Sequence, residues 1–545
     1  MKAAELLVKC LEAEGVTHIF GIPGEENIDV MDALLNSSIQ FVCTRHEQGA
    51  AFMADMHGRL SGKAGVCLST LGPGATNLVT GVADANLDRA PLVAIAGQAA
   101  TTRLHKESHQ VLALPDLFRP ITKFSTQILE PENIPEIVRK AFKVAQTEKP
   151  GACFFDFPEN IAEMQVENAH PLKVQQATQS YPPEIKVKQA ADLIREAKYP
   201  LIMIGNGVIR AHASAALKNF AEKWHVPVLN TFMSKGAIPF SHPLALGTIG
   251  LAAHDYVSLA MDKADLVICV GFDMIEYHPY LWNKNNQKAI LHIDSSPAEV
   301  DEDYQLAAGV IGDINVSLNA IAALATAKKD VTLINLRRKI VEQTTKHNTD
   351  NTFPLKPQRI LHDLRQVLKD EDILISDVGA HKMWVARLYQ AEQPNTCIIA
   401  NGFASMGISL PGAIAAKLLY PDRTVVALTG DGGFLMNSQE LETAMRIGTP
   451  MIVLIWTDSE YGLIRWKQEA HFGRASNIDF TNPNFVQYAE SFGAKGYRVQ
   501  SADELIPTLK RAIADNTVVI IDCPVDYSEN MKLTEELASM LGESK

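Results

Sequence analysis

Two aspartates follow neighbouring apolar runs in the last third of the chain, and their setting suits metal and phosphate chemistry. Asp431 lies in Thr429-Gly430-Asp431-Gly432-Gly433-Phe434, directly after Val425–Leu428. Asp458 lies in Thr457-Asp458-Ser459-Glu460-Tyr461-Gly462, directly after Met451–Ile455. Three glycines let the backbone turn sharply and approach a phosphate closely. A carboxylate is a hard oxygen ligand suited to Mg2+ or Ca2+. Asp458 comes 27 positions after Asp431, room for one helix, expected from about Ser438, and one strand. In a parallel sheet both runs then end on the same rim, so two oxygen ligands can grip one metal while a diphosphate completes its shell. A lone Gly-Asp-Gly turn is common and reads as a tight turn with a capping Asp; the second acidic strand end lifts the metal reading above it. Near the start, Glu47 in Thr44-Arg45-His46-Glu47-Gln48-Gly49-Ala50-Ala51 follows the apolar Ile39–Cys43 and opens a small-residue helix. Taken alone, it reads as a helix-start acid favoured by the helix dipole.

The elements that must position these residues alternate short apolar strands with helical stretches. Val66–Leu68, Leu92–Ala96 and Cys153–Phe155 form one group, Leu201–Ile204, Leu266–Val270 and Ala289–Ile293 a second, and Ile373–Ile375, Val425–Leu428, Met451–Ile455 and Val518–Ile521 a third. Continuous apolar strands between helices imply parallel sheets covered on both faces. Polar stretches at 166–184 and 344–357 read as linkers. The expected organisation is α/β, with three doubly wound parallel-sheet domains at 1–165, 185–340 and 355–545; no short-period repeat is visible. A length of 545 residues fits such a division. The net charge of −13 argues against nucleic acid or an anionic membrane as partner. No run of about 18 apolar residues suggests a membrane span, and the start reads as an amphipathic helix rather than a signal peptide. Seven scattered cysteines without a C-x-x-C pair read as buried thiols in a reducing cytoplasm.

The Gly-Asp-Gly turn, the spacer and the second acidic position resemble the thiamine diphosphate motif, with Asp458 where many members carry Asn. Together with the Arg45-His46-Glu47 segment and its following small-residue helix, they resemble the acetohydroxyacid synthase family from Leu6 to about Asp526, nearest its catabolic, flavin-free acetolactate synthase type. The resemblance implies metal ligation by Asp431, Asp458 and the backbone carbonyl of Glu460, whose side chain is expected to face solvent. It implies that Glu47 activates the cofactor by hydrogen bonding its aminopyrimidine ring. A diphosphate cradle of Gly379, Ala380, His381, Gly430, Gly432, Gly433, Tyr461 and Gly462 is implied as well, with His381 open between a donor and a neutral helix-capping residue. In Asn401–Gly407, Met406 would wedge the cofactor into its bent shape and the Ala404 carbonyl would receive its amino group, although Met406 alone reads as a core methionine. Gly24, in Gly21-Ile22-Pro23-Gly24, is a turn glycine near the reacting carbon. His109 and Gln110 belong to a loop similar to the substrate-side loop of acetolactate synthases.

The resemblance further implies a homodimer or homotetramer, with the active site at the subunit interface between Glu47 of one copy and Asp431 of another. The implied reaction joins two pyruvates into 2-acetolactate and CO2 through a thiamine diphosphate enamine, with Mg2+. The segment Gly271–Asn283 lacks the Arg-rich strand end of flavin-binding members, so no FAD is expected. Lys467 stands where biosynthetic members carry a tryptophan and flavin-free ones usually Gln, which leaves the acceptor keto acid open. Competing readings are another thiamine diphosphate carboligase or 2-keto acid decarboxylase, a flavin-binding biosynthetic catalytic subunit, and a non-catalytic paralogue.

Overall fold

A computed structural model describes residues 1–175, 178–251, 256–530 and 533. Gln176 and Ala177 of the first expected linker, and the end of the expected third domain beyond 530 apart from Leu533, lie outside the described residues. Three six-stranded sheets follow one another along the chain, and every strand pair in them is parallel. β1 (His18–Gly21), β2 (Gln40–Cys43), β3 (Gly65–Ser69), β4 (Leu92–Gln98), β5 (Phe124–Gln127) and β6 (Ala152–Pro158) stand in the order β2-β1-β3-β4-β6-β5. β7 (Pro200–Ile204), β8 (Val228–Asn230), β9 (Ala245–Thr248), β10 (Leu266–Val270), β11 (Ala289–Asp294) and β12 (Leu306–Ile311) stand in the order β12-β11-β10-β7-β8-β9. β13 (Ile373–Ser376), β14 (Cys397–Ile399), β15 (Val425–Gly430), β16 (Ile452–Thr457), β17 (Lys495–Arg498) and β18 (Val519–Pro524) stand in the order β14-β13-β15-β16-β18-β17. The first and third sheets therefore share one strand order, a repeat of architecture that no short sequence period announces.

The central strands are buried along their whole length because helices cover both faces. Edge strands are different: β5, β12 and β17 carry half-buried or exposed positions. The polar stretch at 167–183 holds no helix or strand at its described positions, whereas Thr344 ends the helix Leu336–Thr345 rather than opening a linker.

Chain reversal in each sheet creates a crevice at the carboxyl ends of the two strands that flank it. These crevices lie between β1 and β3, between β7 and β10, and between β13 and β15. In the middle sheet the crevice is filled by the chain itself. A Cβ on Gly205 would lie 2.4 Å from the Gly271 carbonyl oxygen, and one on Gly207 would lie 2.7 Å from the Gly271 Cα. The buried Glu276 carboxylate closes it further by accepting from the Asn206 N–H at 2.9 Å and the Thr231 hydroxyl at 2.5 Å.

Helix Glu47–Ser61 joins the first and third sheets into one body. It is buried on almost every side, including Asp55. One face packs on helix Gly72–Leu87, where a Cβ on Gly81 would come within 2.5 Å of the Ala51 Cβ. Another meets helix Ser409–Leu419, where a Cβ on Gly412 would touch Met56 Cε at 2.9 Å. A single apolar core consequently runs from Ala50, Met53 and Met56 to Ile375, Ile414 and Phe434. Helix propensity alone favours replacing Gly81, but the close helix contact opposes it. Gly81→Val is expected to destabilise by about 1–3 kcal/mol, read as a lower midpoint of thermal unfolding; an unchanged midpoint contradicts the contact.

Candidate active site

The third-domain crevice gathers Asp431 and Asp458 as their spacing suggests. β15 and β16 are adjacent, and Gly430 pairs in register with Trp456, so both aspartates leave the sheet on one rim. The helix begins at Asp431 itself, with Gly430 as its cap, rather than near Ser438; a second helix spans Glu440–Ile447. An acidic first residue suits a helix start, and Gly432 and Gly433 then form its first turn.

Asp431 is 1% exposed, and both oxygens of its carboxylate accept hydrogen bonds. Oδ1 accepts from the Gly432 N–H at 2.9 Å, and Oδ2 accepts from the N–H groups of Asp458 at 3.2 Å and Ser459 at 2.7 Å and from Asn482 Nδ2 at 2.8 Å. To present its N–H, Ser459 adopts a left-handed φ of 60°, a conformation that non-glycine residues seldom take. Burial and then the charge of Asp431 push the Asp458 carboxyl up to about 7. Asp431 itself is raised by burial. Two acids this close and this shielded resist joint ionisation unless a cation joins them.

The Glu460 side chain, expected to face solvent, is partly exposed and forms a surface ion pair. Its carboxylate pairs with Arg465 on helix Gly462–Phe472, and Arg465 also holds Glu469 at 2.8 Å. Glu460 also lines the cleft, and its charge adds a smaller upward push to the Asp458 carboxyl.

The cleft has a volume of about 190 Å³ and is lined by residues 378–381, 404, 406, 430–433, 458, 460–464 and 527. It brings together Gly379, Ala380, His381, Ala404, Met406, Gly430, Asp431, Gly432, Gly433, Asp458, Glu460, Tyr461 and Gly462. Glycines shape its wall: a Cβ on Gly462 would lie 2.8 Å from Asp458 Oδ2, and one on Gly379 would lie 2.7 Å from His381 Cε1. His381 is buried at 2% exposure, and burial pushes its imidazole down to about 3, so it is neutral. The ring hydrogen-bonds to the Asp377 backbone, while Nε2 has no partner. Met406 is half-buried in the cleft wall, not in the core. Ala404 takes a left-handed φ of 59°. A glycine-walled cleft with two carboxylates on its rim and an orphaned imidazole nitrogen fits a metal-bound diphosphate. Among the described residues no three His, Cys, Asp or Glu side chains cluster as a metal site, so the rest of a metal shell would come from backbone and ligand oxygens.

The first-domain crevice collects a different set. Glu47 is 8% exposed at the start of its helix, where the His46 side chain caps the Gln48 N–H at 3.1 Å. Asn77, on the neighbouring helix, donates to Glu47 Oε2 at 3.0 Å, and a Cβ on Gly74 would lie 3.3 Å from Oε1. Gly24 abuts Thr70, whose Cβ would lie 2.4 Å from a Cβ there. Glu26, in the acidic run after Gly24, accepts from the Thr70 hydroxyl at 2.6 Å. Gln110 adopts a φ of 58° with its carbonyl against Gly72; its side chain and that of His109 are exposed.

No first-domain residue lines the third-domain cleft. Lys467 is exposed on helix Gly462–Phe472 and does not line it either, whereas Leu463 and Ile464 do. Asn77, Thr70 and Asn482 went unread in the sequence. Asn482 sits in Thr481-Asn482-Pro483-Asn484, which signals only a turn; Asn77, a polar residue within the small-residue stretch Gly72–Val79, was the readable hint.

Three family descriptions match the chain in order: thiamine pyrophosphate enzyme N-terminal TPP-binding domain over 1–117, central domain over 187–321 and C-terminal TPP-binding domain over 377–523. The chain is 37% identical to an acetolactate synthase of Bacillus subtilis, covering 99% of this chain and 96% of that protein. It is also 37% identical to a probable acetolactate synthase large subunit of Methanocaldococcus jannaschii (98% and 93% covered). A catabolic acetolactate synthase of Raoultella terrigena is 34% identical (98% and 97% covered).

Asp458 gives a pH prediction. Its folded pKa lies above the ordinary value, so its contribution to metal-free stability is present at low pH and lost as pH rises through about 7. A cation needs the ionised form, so Mg2+ affinity is expected to weaken about tenfold per pH unit below 7. Calorimetric titration between pH 6 and 8 checks this. Asp458→Asn should flatten the profile, and an equally steep profile in that variant contradicts the assignment.

Proposed function

The chain belongs to the acetolactate synthase family of thiamine diphosphate enzymes, and from that premise we propose that it condenses two pyruvates into 2-acetolactate with release of CO2. The observation that carries the reading is the separation of two half-sites. One cleft holds the paired carboxylates and the glycine cradle, while the buried Glu47 stands on the other crevice and does not line that cleft. A second copy of the chain would supply Glu47 to each cleft, making the active site a property of at least a dimer.

When bound, thiamine diphosphate supplies the nucleophilic carbon and the electron sink for decarboxylation. Asp431, Asp458 and the Glu460 carbonyl would hold Mg2+. The backbone of Gly379, Ala380, Gly432, Gly433, Tyr461 and Gly462, with His381 Nε2, would receive the diphosphate. Glu47, oriented by Asn77, holds the proton at the pyrimidine ring nitrogen, and the Ala404 carbonyl receives the exocyclic amine. Gly24 leaves room for the reacting carbon, and Gln110 and His109 orient the keto acid and the developing alkoxide. Met406, Leu463 and Ile464 exclude water, which would otherwise divert the reaction to aldehyde release. Lys467, exposed in one chain, would reach substrate only where copies meet.

A flavin-free enzyme is part of the same reading. Its support is the central crevice, which Gly205, Gly207, Gly271 and Glu276 fill. A cytoplasmic location belongs with it, supported by seven unpaired thiols, six of them buried. Among the described residues no helix is long and apolar enough to cross a membrane.

Purified protein with pyruvate, thiamine diphosphate and Mg2+ is expected to form acetolactate, identified by mass spectrometry, and to be colourless. CO2 release without acetolactate would overturn the carboligase reading, and a bound yellow flavin the flavin-free one. Glu47→Gln is expected to lower kcat by about 100-fold or more, with the variant's unfolding midpoint showing it intact.

A further inference from the structure

The segment 400–409 carries Ala404 and Met406 into the cleft, and buried polar groups hold it at both ends. On one side Asp377 accepts from the N–H groups of Gly407 at 2.8 Å and Ser409 at 3.1 Å. On the other, Lys382 donates to the Ala400 carbonyl at 3.1 Å. Asn437 adds a bond to the Gly407 carbonyl at 2.9 Å, and further clamps come from a different domain. Asp88 accepts from the N–H groups of Asn401 at 3.2 Å and Gly402 at 2.5 Å, and Asp84 accepts from the Ser405 N–H at 3.1 Å.

Asp84 and Asp88 lie on and just after helix Gly72–Leu87 of the first domain, and both are fully buried. Arg59, nearly buried itself, holds the pair together. Its Nη2 lies 2.5 Å from Asp88, 3.8 Å from Asp84 and 3.6 Å from Asp55. Close approach is enforced by Gly402, where a Cβ would lie 2.6 Å from Asp88 Oδ1. Between the clamped amides sits Ala404, with its left-handed φ of 59°. Such a conformation costs energy and persists only where its surroundings dictate it.

We infer that Asp84 and Asp88, though they belong to the first domain, are positioning residues for the cofactor-facing segment of their own chain. This rests on the reading that Glu47 of the same domain works in the partner's cleft. Helix Glu47–Ser61 then serves two active sites. Its first residue enters the partner's cleft, and Arg59, about 18 Å further along, braces the segment that shapes its own.

Mixed dimers of differently tagged chains separate the possibilities. Asp88→Asn alone is expected to lower kcat roughly tenfold or more, as loss of supporting residues does at other cofactor sites, with KM for pyruvate little changed. The dissociation constant for thiamine diphosphate, read from tryptophan fluorescence, should rise by a similar factor. Chains with Asp88→Asn paired with chains carrying Glu47→Gln should regain about half of wild-type activity, because one intact cleft forms. That recovery also proves the Asp88→Asn chain folded. Pairing Asp88→Asn with Asp431→Asn should regain none. Recovery in that last pair would put Asp88 with the Glu47 half and overturn the proposal, as would an unchanged cofactor affinity in Asp88→Asn. The pair Glu47→Gln with Asp431→Asn tests the premise by itself: recovery of about half supports the shared site, and no recovery overturns that reading. Asp84→Val should weaken cofactor binding and Asp84→Asn, which keeps an acceptor for Ser405, should restore most of it; equal behaviour of the two removes Asp84 from the clamp.

Discussion

A buried carboxylate and a half-buried one at the ends of adjacent parallel strands cannot both ionise comfortably without a cation. That constraint organises the third domain. Asp431 has every lone-pair direction on Oδ2 taken by Asp458, Ser459 and Asn482 donors. Ser459 accepts a left-handed backbone to supply one of them. A third negative side chain, Glu460, pairs with Arg465 and still adds to the upward push on Asp458. Burial and mutual repulsion together hold Asp458 partly protonated near neutrality, a state that a divalent ion relieves. The same two strand ends open on the glycine-walled cleft beside the neutral His381, so the proposed metal and diphosphate sites would be one structure.

The other half of the chemistry follows from topology. The first and third sheets share a strand order, and each has its crevice at the same place in that order. One crevice holds the proposed diphosphate cradle and the other holds Glu47 with Asn77. The middle sheet has an equivalent crevice, but tight glycine contacts and Glu276 have closed it. Its work is structural: Arg210 and Lys149 pair with the buried Asp273, and Lys235 donates to the Ala386 carbonyl at 2.9 Å, tying the three domains together. Helix Glu47–Ser61 is the joint between the two crevices, because Gly81 and Gly412 on its neighbours let helices approach it from two directions.

Much of this was legible in the sequence where the physics is local. Buried parallel strands are continuous apolar runs, so the central strands stood out. The spacing from Asp431 to Asp458 is one helix plus one strand, and register does the rest. What escaped was set by partners distant in the chain. β5 and β17 are polar edge strands, shielded on fewer sides, and carry no apolar run. Asn77 and Asn482 matter only because folding brings Glu47 and Asp431 to them. The helix start at Asp431 was hidden because two glycines inside a helix look like a turn. Met406 looked like core for the same reason that it suits a cleft wall: an apolar, pliable side chain fits either place.

In the proposed site the Asp431–Asp458 pair binds the diphosphate only through a divalent ion. Calorimetric titration of thiamine diphosphate into the purified protein, with Mg2+ and then with a chelator, tests it most directly. Affinity in chelator is expected to be lower by about 100-fold or more. Equal affinity in the two conditions would contradict it.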